Sequence, residues 1–408
     1  MLATLSPELR QYLLVTGNYW AFTLTDGALR MLVVLYFHDL GYSPLNIALL
    51  FLFYELFGVI TNLVGGWLGA RLGLNRTMNI GLGLQVLALM LLLVPQNWLT
   101  VPWVMMAQAM SGIAKDLNKM SAKSAIKFLV PKQAEGRLYQ WVALLTGSKN
   151  ALKGAGFFLG GILLAWLGFA GAVAAMAAML ALVWLFSVIM LKKDLGRARN
   201  KPKFSELFSK SRAINVLSAA RLCLFGARDV WFVVALPVFL ASELGWDHWR
   251  VGGFLALWVI GYGLVQSLAP YVTGKRAGRV PDGHTAFGWA LGLTLVPAMI
   301  ALGIETELYP HEILLGGLLL FGAIFAVNSS LHSYLIVSYA SDDGVSLDVG
   351  FYYMANAMGR LLGTLLSGWV YQQSGLVACL WLSAGLLLLT AMLSLKLPRQ
   401  RKQGSKFE

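Results

Sequence analysis

Charge is scarce in this chain. Asp, Glu, Lys and Arg make up 12% of 408 residues, about half the share of a soluble domain. Cysteine is scarcer. Cys223 and Cys379 stand alone in apolar runs, with no CxxC pair and no Cys/His cluster. That pattern offers no disulfide framework and no metal site. It also argues against a pump for soft metals or trivalent arsenic, which prefer thiolates. No GxxxxGK[ST] loop appears, so energy should come from a gradient and not from a nucleotide. An intramembrane enzyme would need a nucleophile with a base, or paired carboxylates, and neither is visible. A receptor would be expected to carry a soluble signalling domain, which is also missing. Pro7, Glu8 and Arg10 leave no short apolar core near Met1, so no cleavable signal peptide is expected. No cofactor is implied.

Apolar residues are plentiful, at 58% of the chain, with a mean hydropathy of +0.68. A bilayer crossing needs about 20 mostly apolar residues. Such runs are expected over residues 11–38, 45–70, 76–95, 100–129, 137–167, 170–191, 213–241, 249–272, 284–303, 312–340, 346–372 and 375–396. Turn chemistry separates them at Gly41 to Pro44, Pro95 to Asn97, Gly168 to Gly171, Gly245 to His248, and Pro310 with His311. Trp98, Trp103, Trp246 and Trp249 fall at span ends, where indoles anchor to the interface.

The formal net charge of +13 would suggest nucleic acid in a soluble protein. Here topology accounts for it, and no nucleic-acid partner is expected. With the N-terminus inside, 25 of the 32 Lys and Arg residues fall on cytoplasmic segments: Arg10, Arg71, Arg76, the six between Lys115 and Arg137, the eight between Lys192 and Arg212, the three between Lys275 and Arg279, and the five from Lys396 onward. The opposite-side loops hold Arg250. This bias places both termini in the cytoplasm.

The basic stretch Lys192 to Arg212 divides the chain into two groups of six spans. The expected organisation is an all-α membrane protein of twelve transmembrane helices. Residues 1–191 form an N-terminal six-helix bundle, 192–212 a basic cytoplasmic linker, and 213–408 a C-terminal six-helix bundle with a short basic tail. This layout resembles the major facilitator superfamily, whose substrate site lies near the midplane between the halves. Gly66-Trp67-Leu68-Gly69-Ala70-Arg71-Leu72-Gly73, followed by Arg76, is similar to that family's cytoplasmic gating loop, GxLaDRxG. Ala70 replaces the usual Asp, which puts the salt bridge assigned to it in question. Gly154, Gly156, Gly160 and Gly161 are similar to a glycine-rich exporter motif without its proline. Close helix packing explains these glycines best.

A narrower resemblance is to the ArsJ family of organoarsenical efflux permeases. It is carried by GNYWAFTLTDGALRMLV (Gly17 to Val33), TNLVGGWLGARLGLNRT (Thr61 to Thr77) and SGIAKDLNKMSAKSAIK (Ser111 to Lys127). It implies a multi-pass, monomeric protein of the bacterial cytoplasmic membrane. The cargo implied is the mixed anhydride of arsenate and 3-phosphoglycerate, 1-arseno-3-phosphoglycerate. A glyceraldehyde-3-phosphate dehydrogenase would be the functional partner that makes it.

The residues add their own case. Arg30, Lys149, Lys153, Arg221, Arg228 and Arg360 fall deep in spans, joined by Lys115, Lys119 and Lys123. A charge at the bilayer centre costs at least a few kcal/mol without a partner or water. The candidate partners are Asp26, Glu55, Asp116 and Asp229. Nine cations against four carboxylates leaves a surplus of about five, which favours a multiply charged anion. Ser111, Lys115 and Lys119 share a helix face, as do Lys149 and Lys153, and Arg221 and Arg228. Arg suits a bidentate oxyanion, and Lys a movable point charge. Substrate contacts are therefore expected from Arg30, Lys115, Lys119, Lys149, Lys153, Arg221, Arg228 and Arg360, with Asn118, Tyr353 and Asn356.

Plainer readings stand beside these. Asp26 and Arg30 are spaced for an intrahelical ion pair. Lys123 and Lys127 are expected to snorkel to headgroups. Arg221 serves equally as a cap of its helix. Asp26, Glu55 and Asp116 are candidate proton carriers, or partners of buried lysines. Asn18, Tyr19, Asn328, Ser329, His332 and Tyr352 are expected to bond between helices. A transporter for another organic phosphate or anion, by uptake or exchange, remains the alternative to organoarsenical efflux.

Overall fold

The computed structural model describes residues 7–41, 50–130, 135–191, 195–197, 211–246, 248–273, 280–306, 310–342 and 344–399. Most of the basic linker, Lys275 to Arg279 and the tail beyond Arg399 lie outside the described residues. So do Tyr42 to Pro44.

Helices account for nearly everything else, and no strand occurs among the described residues. In chain order they are α1 (Pro7–Asp39), α2 (Leu52–Leu72), α3 (Leu74–Leu91), α4 (Val101–Leu129), α5 (Glu135–Met190), α6 (Arg212–Phe232), α7 (Ala235–Ser242), α8 (His248–Thr273), α9 (Gly283–Glu305), α10 (Pro310–Tyr339) and α11 (Val345–Ser394). A 3₁₀ turn at Gln96–Trp98 links α3 to α4.

Two of these helices are twice the length a bilayer requires. α5 breaks at Gly168 (φ 66°) and α11 at Gly375 (φ 73°). Each glycine takes a backbone conformation that L side chains resist, so each long helix becomes two crossings. The turn expected from Gly168 to Gly171 is thus a one-residue hinge. Conversely, α6 and α7 make up one apolar crossing, Arg212–Leu240, interrupted at Val233 and Val234. The amide of Ala235 donates to Ser367 Oγ at 3.1 Å, which satisfies backbone that has left the helix ladder. With α5 and α11 counted as two limbs each and α6 with α7 as one, the described residues hold twelve helical crossings.

Helix ends follow capping chemistry. Asp282 Oδ1 accepts from the amides of His284 and Thr285, each at 3.1 Å, to start α9. Ser211 caps α6 through the Ile214 amide. Gly73 (φ 97°) ends α2 with its N–H on Gly69 O and starts α3 directly.

The chain divides into two compact units. The first comprises Met1–Pro131, Ser148–Ser209 and Ala340–Met354; the second comprises Lys132–Gly147, Lys210–Tyr339 and Ala355–Glu408. Helices α5 and α11 each contribute to both.

Small residues set the helix spacing within each unit. In the first, α1 lies against α5 so closely that a Cβ on Gly156 would stand 2.7 Å from Leu24 O, and one on Gly27 would stand 2.7 Å from Lys153 O. The glycine-rich stretch of α5 therefore serves packing. In the second, α6 meets α11 in the same way, and a Cβ on Gly363 would stand 2.8 Å from Gly226 O. The second unit also holds a core of aromatic rings, with Trp231, Trp258, Phe321 and Phe325 all buried.

Candidate functional site

The intramembrane cations form one cluster in each unit. In the first unit α1, α2, α4, α5 and the start of α11 supply the side chains. Tyr54, 2% exposed, organises the centre. Its hydroxyl donates to Asp26, 2.7 Å from Oδ1 and 2.9 Å from Oδ2. Over its ring lie the guanidinium of Arg30, 5.0 Å from the centroid, and the ammonium of Lys115, at 3.7 Å.

The expected pairing of Asp26 with Arg30 is replaced. Arg30 Nη2 reaches Glu55 Oε1 on α2 at 3.1 Å, while Asp26 is taken by Tyr54. The reason is geometric. The Tyr54 ring meets Arg30 with its face and Asp26 with its hydroxyl, so it separates two groups that share a helix face. Glu55, expected as a proton carrier or as the partner of a buried lysine, is half-exposed and paired with Arg30.

On α4, lysines recur every four residues from Lys115 to Lys127. Lys119 Nζ bonds Asp116 Oδ1 at 2.5 Å. The other oxygen of Asp116 is buried with no hydrogen-bond partner among the described residues, and it lies against Gly58 of α2. The ammonium groups of Lys119 and Lys123 lie 4.8 and 4.7 Å from the centre of the Tyr353 ring. Lys123 also donates to the Tyr353 hydroxyl.

Snorkelling to headgroups is therefore corrected for both outer lysines. Lys123 is 3% exposed, because Tyr353 offers it an acceptor within the protein. Lys127 donates to the Ala340 carbonyl and stands 3.8 Å from Asp342. Lys149 and Lys153 are half-buried on α5, in the stretch held to α1 by the Trp20–Ser148 hydrogen bond of 2.8 Å. Asn118 is placed elsewhere. It donates to Ala114 O at 2.9 Å and lies against Gly81 of α3.

In the second unit, Arg221 is 3% exposed. Its Nε donates to Asn356 Oδ1 at 2.8 Å and its Nη1 to Ser329 O at 3.1 Å. Gln266 holds the Ser329 hydroxyl at 3.0 Å. Arg221 thus joins three helices and does not cap its own. Asp229, wholly buried, accepts from two arginines: Arg228 Nε at 2.6 Å and Arg360 Nε at 3.3 Å. Phe225 lies under both Arg221 and Arg228, 4.0 and 4.8 Å from its centroid. His332 is fully buried, and neither ring nitrogen has a partner among the described residues.

The gating-loop residues pack within the first unit. Gly66 lies against Ser346 and Gly350 of α11, where a Cβ would stand 3.0 Å from Gly350 Cα. Ala70 is wholly buried with Leu347, beside Leu63 and Trp67. Arg71 lies over Trp67 at 5.0 Å, and Arg76 is exposed on the first turn of α3.

Sequence reasoning passed over Tyr54 and assigned Lys123 to the headgroups. Tyr54 reads as core in an apolar helix, and its neighbour Glu55 was the only signal. Lys123 continues the four-residue spacing of Lys115 and Lys119, and that period marks it.

In each unit the named cations outnumber the named carboxylates. In the first unit Arg30 pairs with Glu55 and Lys119 with Asp116; in the second, Arg228 and Arg360 share Asp229.

The sequence model of the Major Facilitator Superfamily matches residues 15–282 and 258–408. No curated protein matches the chain. Solved structures of similar fold include the proton:xylose symporter XylE (14% identity, 95% of each chain, TM-score 0.74). The human organic anion transporter MFSD10 is similar at 19% identity, over 96% of this chain and 100% of that one, with a TM-score of 0.72. The E. coli fucose:proton symporter FucP is similar at 12% identity, over 95% and 98%, with a TM-score of 0.72.

Proposed function

The chain belongs to the Major Facilitator Superfamily, and from that premise we propose that it is a secondary efflux transporter for a multiply charged organic oxyanion. The class is a transporter of the bilayer, not an enzyme. The observation that carries the anion reading is the cluster of intramembrane lysines and arginines in each unit. Charged side chains within the spans are costly, and in each unit lysines and arginines favour an anionic ligand over a cationic one. The arginines of the second unit supply planar forks for a phosphoryl or arsenyl group, and the lysines of the first supply point charges.

The stretches Gly17 to Val33, Thr61 to Thr77 and Ser111 to Lys127 resemble the ArsJ permeases. That resemblance names the cargo: 1-arseno-3-phosphoglycerate, made by a glyceraldehyde-3-phosphate dehydrogenase and expelled across the bacterial cytoplasmic membrane by alternating access. Both termini are placed in the cytoplasm and the working unit is a monomer. MFSD10, of similar fold, is described as an organic anion transporter, which accords with anionic cargo.

Of the carboxyls proposed to carry a coupling proton, Asp116 is favoured over Asp26 and Glu55. Glu55 is paired with Arg30, Asp26 is held by Tyr54 and Asp116 is paired with Lys119, but Asp116 alone of the three keeps a buried oxygen with no hydrogen-bond partner among the described residues.

Everted membrane vesicles test the function. Given arsenate, 3-phosphoglycerate, the dehydrogenase and its nicotinamide cofactor, they should accumulate arsenic only when the dehydrogenase is present. Equal accumulation from arsenate alone or arsenite alone would overturn the cargo. Exchange of a preloaded sugar phosphate without arsenic transport would favour the alternative organic-phosphate carrier.

A further inference from the structure

A groove runs between the start of α3 and the end of α5, wholly within the first unit. Its volume is about 380 Å³, and Asn75, Arg76, Asn79, Ile80, Val188 and Leu191 line it. Its depth in the membrane follows from the chain. Gly73 alone joins α2 to α3, so the first turn of α3 stands at a membrane surface. Arg76 lies in that turn and is exposed. Asn79 lies about 5 Å deeper along the helix. Ile80 and Val188, 41% and 44% exposed, then open the groove toward the acyl chains of the bilayer. Polar groups at headgroup depth above an apolar wall are the two halves of a phospholipid site.

Two further observations give the site its sign. Asn18 Nδ2 donates to Ser187 Oγ at 2.8 Å, and Ser187 donates in turn to Asn79 Oδ1. The carbonyl of Asn79 is thereby turned onto the protein, which leaves its amide nitrogen as the donor on the groove side. The sequence after Leu191, the last wall residue, is Lys192-Lys193-Asp194, so together with Arg76 this stretch is net basic. Basic clefts between helices at a membrane surface take anionic headgroups.

We propose that this groove binds an anionic phospholipid of the phosphatidylglycerol type. Arg76 and Asn79 hold the phosphate, and an acyl chain lies along Ile80 and Val188. A guanidinium carries five N–H donors, so Arg76 serves the phosphate alongside its bonds within the protein. With the termini in the cytoplasm, as proposed, the lipid belongs to the inner leaflet. It is a resident partner of the first unit and not cargo, so the inference is independent of the anion-transport reading.

Purified full-length protein, stripped of lipid in a neutral detergent, tests this by thermal unfolding and native mass spectrometry. The probes are phosphatidylglycerol, phosphatidylcholine with the same chains, and inorganic phosphate. Phosphatidylglycerol should raise the melting temperature by about 3 °C or more and persist as a discrete adduct. Phosphatidylcholine should do so less, and phosphate not at all. Arg76→Gln should weaken phosphatidylglycerol about tenfold, and Arg76→Lys should restore most of that loss. Val188→Trp, at an exposed position, should weaken it about fivefold by filling the apolar wall. Should Arg76→Gln not fold, Val188→Trp decides the matter. Equal stabilisation by phosphatidylcholine, or undiminished phosphatidylglycerol binding in the variants, would overturn the site. A shift produced by phosphate alone would make it a site for free anions and overturn the lipid.

Discussion

Tyr54 donates its hydroxyl to Asp26 from within a helix whose next residue, Glu55, takes the arginine that Asp26 shares a face with. One aromatic ring thereby sorts two acids and two bases. Tyr54→Phe keeps the ring beneath Lys115 and Arg30 but strips Asp26 of its donor. The expected cost is about 1–3 kcal/mol for the buried, unsatisfied carboxylate. Unfolding in detergent, monitored by tryptophan fluorescence, should show the loss, and Tyr54→Ala should exceed it because both cation–π contacts also go.

Asp229, wholly buried, accepts from both Arg228 and Arg360. Asp229→Asn should leave Arg228 buried without a counter-charge, destabilising the protein by about 3–5 kcal/mol. Arg360→Ala should cost much less, since the Arg360 side chain is 35% exposed and solvent screens it. The ratio of folded yields of the two variants checks the order.

Proton coupling through Asp116 makes a separable pair of expectations. Asp116→Asn keeps the shape and removes the carboxyl proposed to carry the proton. Arsenic accumulation driven by an imposed pH gradient should fall to the passive level, whereas counterflow of preloaded substrate should persist. Loss of both together would assign Asp116 a structural role.

Ala70 stands where the family's loop motif carries Asp. It is wholly buried between Trp67 and Leu347, so Ala70→Asp should not restore a gate. It should bury an unpaired charge at a cost of several kcal/mol. Lower expression and a lower melting temperature than wild type are the expected result; a transporter of equal stability would contradict the apolar contact.

Most of the architecture was legible in the chain itself. Apolar runs of bilayer length located the crossings, and Gly168 marked where α5 doubles back; the hinge of α11 at Gly375 was not singled out, though the boundary between the runs 346–372 and 375–396 falls there. The interruption of the seventh crossing at Val233 was not legible, because β-branched apolar residues carry no break signal and the compensating acceptor, Ser367, lies 132 residues from Ala235. The cations were legible as costly, but their partners were not. Spacing along α1 favoured Asp26 with Arg30, and only packing against α2 interposes Tyr54. For Lys123, a position near the helix end suggested headgroups, while Tyr353 on α11 supplies an acceptor that no local pattern reveals.

The central claim is that the intramembrane lysines and arginines serve an anionic cargo. Arsenic accumulation in everted vesicles supplied with the dehydrogenase system tests it most directly, in Lys115→Met and Arg221→Met, one variant from each unit. Each should lower initial accumulation about tenfold or more at equal membrane abundance, consistent with loss of a charged contact to the transported anion. Undiminished accumulation in both variants would contradict it.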